Sequence, residues 1–396
     1  MAQSISQEAI GATGLPGATV ASRHAGATTS GAPTSGTFAV GDFIVDQSGA
    51  MYVCTVAGTP GTWQLSGVPV NENIAGKNFI INGGMDIWQR GTTVSINGGF
   101  AYGADRWNVY STYANVTMYR QTTSDLTNVP SIQYAGQVQR TVSSTFTTSI
   151  YLTQSIETAN TIPLVGKTVT MSFYAKCGSS YNQSGTGPLS VQFVTGTGTD
   201  QNVINGFTGA NAITNTTVTI TSAWQKFTVA VNPALTATVP TSTTESAVLF
   251  GYNPTGTAGA NDWFQITGVQ LEIAPQATPF SRAGGSIGGE LALCQRYFWT
   301  NNTTGDFFGQ AWSTTSAFVV ARLPATMRTT PSFTVTSLTN NINEPGIAGG
   351  FTPTGSWVGL NLSPYSAAIY NSNFSGLTSF YPVQWGSGYV QLSAEL

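Results

Sequence analysis

Thr168-Val169-Thr170-Met171-Ser172-Phe173-Tyr174-Ala175 decides the fold class. Apolar Val169, Met171, Phe173 and Ala175 alternate with Thr168, Thr170, Ser172 and Tyr174. A period of two is that of a strand with one face buried, because successive side chains point to opposite sides of a sheet. The same pattern recurs outward from this stretch. Leu189, Val191 and Phe193 repeat it, as do Val218 and Ile220, then Phe227, Val229 and Val231. Phe264 and Ile266 alternate too, but after Gly268 the phase slips to Val269, Leu271 and Ile273. A glycine at a phase slip predicts a β-bulge. Many short strands separated by Gly, Pro, Asn and Thr predict a jelly roll or sandwich over residues 76–288.

The rest of the chain divides around this body. Residues 1–35 form a Gly/Ala/Thr-rich leader. It contains Gly11-Ala12-Thr13-Gly14-Leu15-Pro16-Gly17-Ala18-Thr19, three Gly-X-Y triplets. Glycine at every third position suits the crowded axis of a triple helix, and a flexible linker reads equally well. Residues 36–75 form a small β module. Phe43–Asp46 and Met51–Cys54 read as strands joined by a turn at Gln47–Ala50, and Gly58-Thr59-Pro60-Gly61 turns into Thr62–Leu65. The Gly-rich run Gly284–Gly289 marks a boundary. Residues 289–396 follow as a short helix over 289–299 and a C-terminal β tip. Strand-like runs there are Ala317–Ala321, Phe333–Val335, Trp357–Leu360 and Tyr389–Leu392. The expectation is an all-β, elongated chain.

Composition narrows the function classes. The 396 residues are 41% hydrophobic and 11% aromatic, so packed cores are expected rather than disorder. Only 7% are charged, against about 25% in ordinary soluble domains. Net charge is -3 and the 13 Lys and Arg are scattered, which argues against a nucleic-acid groove. No stretch approaches the 18 or so apolar residues of a membrane span, and Met1–Ile10 lacks the pattern of a secretory signal. Cys54, Cys177 and Cys294 are odd in number and far apart, so three buried free thiols are expected. The single His24 lies in the leader, a poor place for a Ser-His-Asp triad. Gly166-Lys167-Thr168 lacks the earlier glycine of a P-loop and precedes a strand pattern, so nucleotide binding is rejected.

Four stretches together resemble bacteriophage tail fibres and minor tail proteins. They are Asn78–Gly91 with Tyr102–Trp107, Leu164–Lys176, Gly268–Glu272 with Ala277–Phe280, and Glu290–Phe298. Phe38–Phe43, Met51–Cys54 and Gly58–Trp63 are also similar to short tail-fibre modules and to small chitin-type carbohydrate-binding modules. The resemblance covers about residues 30–300, and the last hundred match only in position and in the ending Ala394-Glu395-Leu396. It implies a central carbohydrate-binding-module-like jelly roll, a homotrimer, and a place in a virion tail. Such a chain would be made in the host cytoplasm and exposed outside the cell after lysis. Its partners would be other tail or baseplate proteins at the N-terminus and a host surface glycan at the far end. No membrane insertion is implied.

Sugar recognition needs exposed flat rings beside amide, hydroxyl or carboxylate groups. Candidate rings are Tyr52 and Trp63 in the small module, and Tyr110, Tyr113 and Tyr119 in the body. In the tip they are Trp312, Trp357, Tyr365, Tyr370 and Trp385. For each ring taken singly, core packing is the competing role. Asp105-Arg106-Trp107 reads first as a structural pair beside a core indole. No catalytic residue is assigned. A glycosidase would need two facing carboxylates, and no pair such as Asp86 with Asp105 can be placed from sequence. No cofactor is expected; jelly rolls of this kind can carry a structural Ca²⁺, whose ligands the sequence does not name. A purely structural virion fibre and a virion glycan hydrolase stand as the alternatives.

Overall fold

The computed structural model describes residues 31–46, 51–66, 74–113, 115–231, 238–301, 306–347 and 349–396. The Gly-X-Y triplets, His24 and the expected turn at 47–50 lie outside them. Two compact units divide the chain, Met1–Asn71 and Glu72–Leu396.

In the first unit, β1 (Phe43–Val45), β2 (Met51–Val56) and β3 (Thr62–Ser66) form a three-stranded antiparallel sheet in that order. Ile44, Tyr52 and Cys54 are its buried side chains.

The second unit opens with twelve strands. They are β4 (Thr93–Ile96), β5 (Gly99–Tyr102), β6 (Asn108–Ser111), β7 (Val116–Thr122), β8 (Tyr134–Arg140) and β9 (Ile150–Ile156). Then come β10 (Thr170–Cys177), β11 (Gly187–Gly196), β12 (Asn211–Ile220), β13 (Gln225–Ala230), β14 (Glu245–Tyr252) and β15 (Trp263–Glu272). They pair into two six-stranded sheets, β13-β10-β15-β8-β7-β4 and β12-β11-β14-β9-β6-β5. One continuous apolar core joins them, with Val169 just before β10 and Met171 and Phe173 of β10 meeting Leu189, Val191 and Phe193 of β11 and Phe250 of β14. The rings of Phe173 and Phe250 meet edge to face at 4.8 Å. That is the all-β sandwich that the alternation predicts.

Two details of the pattern have distinct outcomes. The predicted bulge is present. Between the register pairs Ser172↔Gln270 and Tyr174↔Thr267, one residue of β10 faces two of β15, and Gly268 has φ +57°. The expectation that β10 buries one face is corrected. Thr170, Ser172 and Tyr174 are buried as well, because Val129, Ile132, Trp224 and Phe280 cover the sheet's outer side at Tyr174.

Helix α1 (Ile287–Gln295) starts two residues before the predicted one, because the Ser286 hydroxyl accepts the Gly289 N–H at 3.1 Å and caps it. It ends earlier too, since Phe298 begins the next strand. Cys294 and Tyr297 pack with Ile81 and Ala283 of the sandwich. The glycines before the helix are tightly packed: a Cβ on Gly284 would lie 2.2 Å from the Gly289 backbone. The remaining strands are β16 (Phe298–Thr300), β17 (Phe308–Ala311), β18 (Ala317–Arg322), β19 (Ser332–Asn343), β20 (Val358–Ser363), β21 (Ser366–Asn371) and β22 (Pro382–Ser393). They form one seven-stranded antiparallel sheet around a core that includes Phe307, Val319, Ile369 and Trp385. All three cysteines are free and buried.

Candidate functional site

Motifs behind the resemblance meet at the junction of the sandwich and the C-terminal sheet. Asn82 anchors the Asn82–Gln89 turn. Its amide donates to the carbonyls of Ile87 (2.9 Å) and Asp105 (3.0 Å), and its side-chain oxygen accepts the Ile87 N–H. Trp107 donates its indole N–H to the Asn82 carbonyl at 3.0 Å. Asp105 accepts the Gln89 backbone N–H at 3.0 Å and that residue's side-chain amide. Arg106 is 2% exposed. It donates to the Ser155 carbonyl at 2.7 Å and to the Glu395 carboxylate, and it lies 3.6 Å over the Tyr297 ring. Arg90 reaches the same carboxylate at 3.0 Å and stacks on Phe298 at 3.5 Å. On α1, buried Glu290 accepts the N–H groups of Asn82 and of Gly284, the latter at 2.7 Å.

Electrostatics follow from this burial. Loss of solvent pushes the Asp105 and Glu290 carboxyls above their ordinary values. Burial, with Glu395 next, raises the Tyr102 phenol to about 12. For Arg106 burial disfavours the charge, but the Glu395 carboxylate together with Tyr297 and Tyr102 outweighs it, so the guanidinium stays charged. The rings of Trp107, Tyr297 and Phe298 are all buried. The junction is architecture, and Asp105-Arg106-Trp107 takes the structural role expected of it.

The candidate rings scatter over separate places. Tyr52 is buried, and half-buried Trp63 meets Phe38 edge-on at 4.8 Å while its N–H goes to the Pro60 carbonyl. Trp357 and Trp385 lie in the C-terminal core, 5.1 Å apart, with no face available to a ligand. Trp312 is 42% exposed and rests on Phe318 (5.0 Å) and Tyr370 (5.2 Å). Tyr365 projects from the β20–β21 turn, and Tyr119 sits half-buried on β7. Tyr113 is exposed and stacks on Phe146.

Tyr110 is the candidate that the fold places in company. The outer face of the second sheet carries a cross-strand row of register partners: Phe100, Tyr110, Tyr151, Gly251, Ser190 and Thr217. Their neighbours along each strand point into the core, as Val109, Leu152, Phe250 and Val191 do. Strands lie about 4.8 Å apart, so three ring-bearing residues are followed by a glycine and two hydroxyl-bearing residues. The Tyr151 ring lies over Gly251, where an added Cβ would come within 3.0 Å of the ring edge. Gln192 adds an amide whose N–H₂ bonds the Ser190 hydroxyl at 3.2 Å. Phe207 and Val203, from the β11–β12 connection, pack on Leu249, Ala247 and Val194 beside Tyr151 and roof the adjoining part of the face. Rings supply flat apolar contact and the far end supplies hydroxyl and amide partners, the combination that orients a polar ligand.

The sequence reading did not single out Tyr151, Gly251 or Gln192. Ile150-Tyr151-Leu152 does alternate, which points Tyr151 away from the core. Nothing local places it beside Tyr110, because that adjacency comes from β6–β9 pairing.

Among the described residues no group of three or more His, Cys, Asp or Glu side chains could hold a metal ion, so no ligand set is assigned to a Ca²⁺.

No family model matches the chain, and no curated protein matches it. Among solved structures it is similar to one described as "CBM4 structure and function", at 19% identity over 49% of this chain and 98% of the other, TM-score 0.28. It is similar to a putative sugar binding protein from Bacteroides thetaiotaomicron at 15% identity over 50% and 100%, TM-score 0.27. A xylan-binding domain of CBM 22 matches at 11% identity over 46% and 100%, TM-score 0.28.

Proposed function

We propose that this chain is a non-catalytic glycan-binding adhesin of the tail-fibre type, and that the outer row from Phe100 to Thr217 holds the sugar. The row itself carries the reading, through three adjacent rings and a hydroxyl and amide end on one rigid sheet. The row contains no charged side chain, so contact would depend on stacking and neutral hydrogen bonds and vary little with salt.

Tail-fibre resemblance and the Gly-X-Y triplets support a homotrimer attached to other tail or baseplate proteins by its N-terminal part. Three weak sites per trimer would raise a modest single-site affinity by avidity. Light scattering checks the assembly, with an expected mass three times the 41.4 kDa chain. A monomer mass sinks that part of the reading.

Hydrolysis is disfavoured because the carboxylates near the body's motifs are engaged. Asp86 pairs with Arg282 at 2.8 Å, and Asp105 is sealed in the junction. A fibre with no receptor is the remaining alternative.

The test is binding of the purified protein to an array of bacterial envelope polysaccharides, beside Tyr151→Ala. Saturable binding by the wild type that weakens at least tenfold in the variant is expected. Absence of binding to every glycan points to the receptor-free fibre. Binding that survives Tyr151→Ala removes the row from the proposal.

A further inference from the structure

We infer that a cleft beside Tyr113 is a second saccharide site, which takes one uncharged sugar unit independently of the Tyr151 row. The inference rests on the reading that this chain binds glycans. The cleft has a volume of about 520 Å³ and is lined by Tyr113, Asn115, Ser143, Ser144, Thr145 and Phe146. That is within the roughly 300–1,000 Å³ of small-molecule sites. Tyr113 stacks on Phe146 at 5.6 Å and 13° between planes, yet it remains 53% exposed, so the ring still presents apolar surface to solvent. A sugar's C–H face could lie there.

The rest of the lining is polar, and its side chains are unengaged among the described residues. Among the described residues, no hydrogen bond uses the side-chain groups of Asn115, Ser143, Ser144 or Thr145. One amide and three hydroxyls therefore face a cleft with donors and acceptors to spare, the inventory that sugar hydroxyls match. No charged side chain is among the lining residues, so the cleft offers an acidic or basic sugar no ion pair.

Buried charge holds this wall in place. Arg140 of β8 is fully buried, and its Nη2 donates to the carbonyls of Ser144 (2.8 Å), Phe146 (2.9 Å) and Gly256 (3.0 Å). Its Nη1 pairs with Asp262 at 2.9 Å, and Asp262 accepts the Tyr252 hydroxyl at 2.6 Å. The Thr141 N–H donates to the Asn115 carbonyl at 2.8 Å and ties the two sides together. Asn115 and Ser143 both hold left-handed backbone, with φ +75° and +68°. A loop fixed this way loses little freedom on binding, which favours a weak ligand.

The experiment is ligand-observed NMR on the full chain with uncharged trisaccharides: maltotriose, cellotriose, xylotriose and N-acetylchitotriose. The variants are Tyr113→Ala, Tyr113→Phe and Thr145→Arg, with Tyr151→Ala in parallel. Thr145 is exposed, so the arginine fills the cleft without disturbing a core. At least one probe should bind the wild type, Tyr113→Phe and Tyr151→Ala alike, and lose at least tenfold in affinity in Tyr113→Ala and Thr145→Arg. Binding unchanged in those two variants overturns the second site and leaves the row standing if Tyr151→Ala abolishes it. No binding of any probe overturns the second site, and the polysaccharide array then decides separately whether the chain binds glycans at all.

Discussion

Glu395 and Arg106 form an ion pair across 289 residues of sequence, with the guanidinium buried beneath the C-terminal sheet. Arg90 shares the carboxylate, and Arg328 donates to the Glu395 carbonyl at 3.1 Å. The acidic ending is thus one of the ties between the C-terminal sheet and the sandwich, beside Gln89 with Phe298 and Arg328 with Asp200.

Removing that carboxylate leaves the buried Arg106 guanidinium without an acidic partner, while Arg90 keeps only Asp105 at 3.8 Å. Glu395→Ala is expected to destabilise the second unit by about 3–5 kcal/mol, the usual cost of breaking a buried pair from one side. Denaturant unfolding followed by tryptophan fluorescence measures it. A change under about 0.5 kcal/mol would mean the pair is solvated and contributes like a surface bridge.

A pH dependence follows from Asp105. Its carboxyl is raised above the ordinary 3.8 by burial, so folding takes up a proton between the ordinary and the raised value. The stability it contributes is fully present below the ordinary value and is lost as pH rises through the raised one. The unfolding free energy of the wild type minus that of Asp105→Asn should therefore fall as pH rises above the ordinary 3.8. A difference constant across that range contradicts the raised carboxyl.

Gly251 positions the Tyr151 ring. Its missing side chain leaves room for a ring edge that a Cβ would approach to 3.0 Å. Gly251→Val should push the ring off the row and weaken glycan binding by about tenfold, or about 1.4 kcal/mol. Titration with the best glycan from the array is the measurement, with a far-ultraviolet spectrum to show the sandwich intact. Unchanged affinity in a folded variant would show that the ring's seat does not matter.

At the bulge, an added Cβ on Gly268 would meet Ile132 at 2.6 Å and Tyr174 at 2.7 Å, on a left-handed backbone. Gly268→Ala is expected to cost roughly 1–3 kcal/mol from strain and overpacking together. Thermal unfolding reads this as a lower midpoint, and glycan binding measured well below that midpoint should be unaffected.

Strand identity, the bulge at Gly268, the approximate helix and the buried state of three cysteines were legible along the chain. Each depends on neighbours within a few residues: the alternation around Phe173, a glycine at a phase slip, or helical spacing from Leu291 to Cys294. Two things were not legible. Burial of both faces of β10 depends on Trp224 and Phe280, which arrive from remote loops. The meeting of Tyr110 with Tyr151 depends on which strands pair, and their separation of 41 positions carries no local signature.

The all-β class was readable along the chain, since period-two patterning is a property of each strand alone. Tertiary structure decided which aromatic residues are core and which are surface. Trp385 and Tyr365 look alike as isolated rings beside turn residues, yet one fills a core and the other stands in solvent. The same decision turned Asp105, Arg106 and Glu395 into a joint and put Phe100, Tyr110 and Tyr151 at register positions on one sheet face. The physical reason is that alternation sets only the side of a strand on which a ring lies, whereas long-range pairing sets what lies beside it and what covers it.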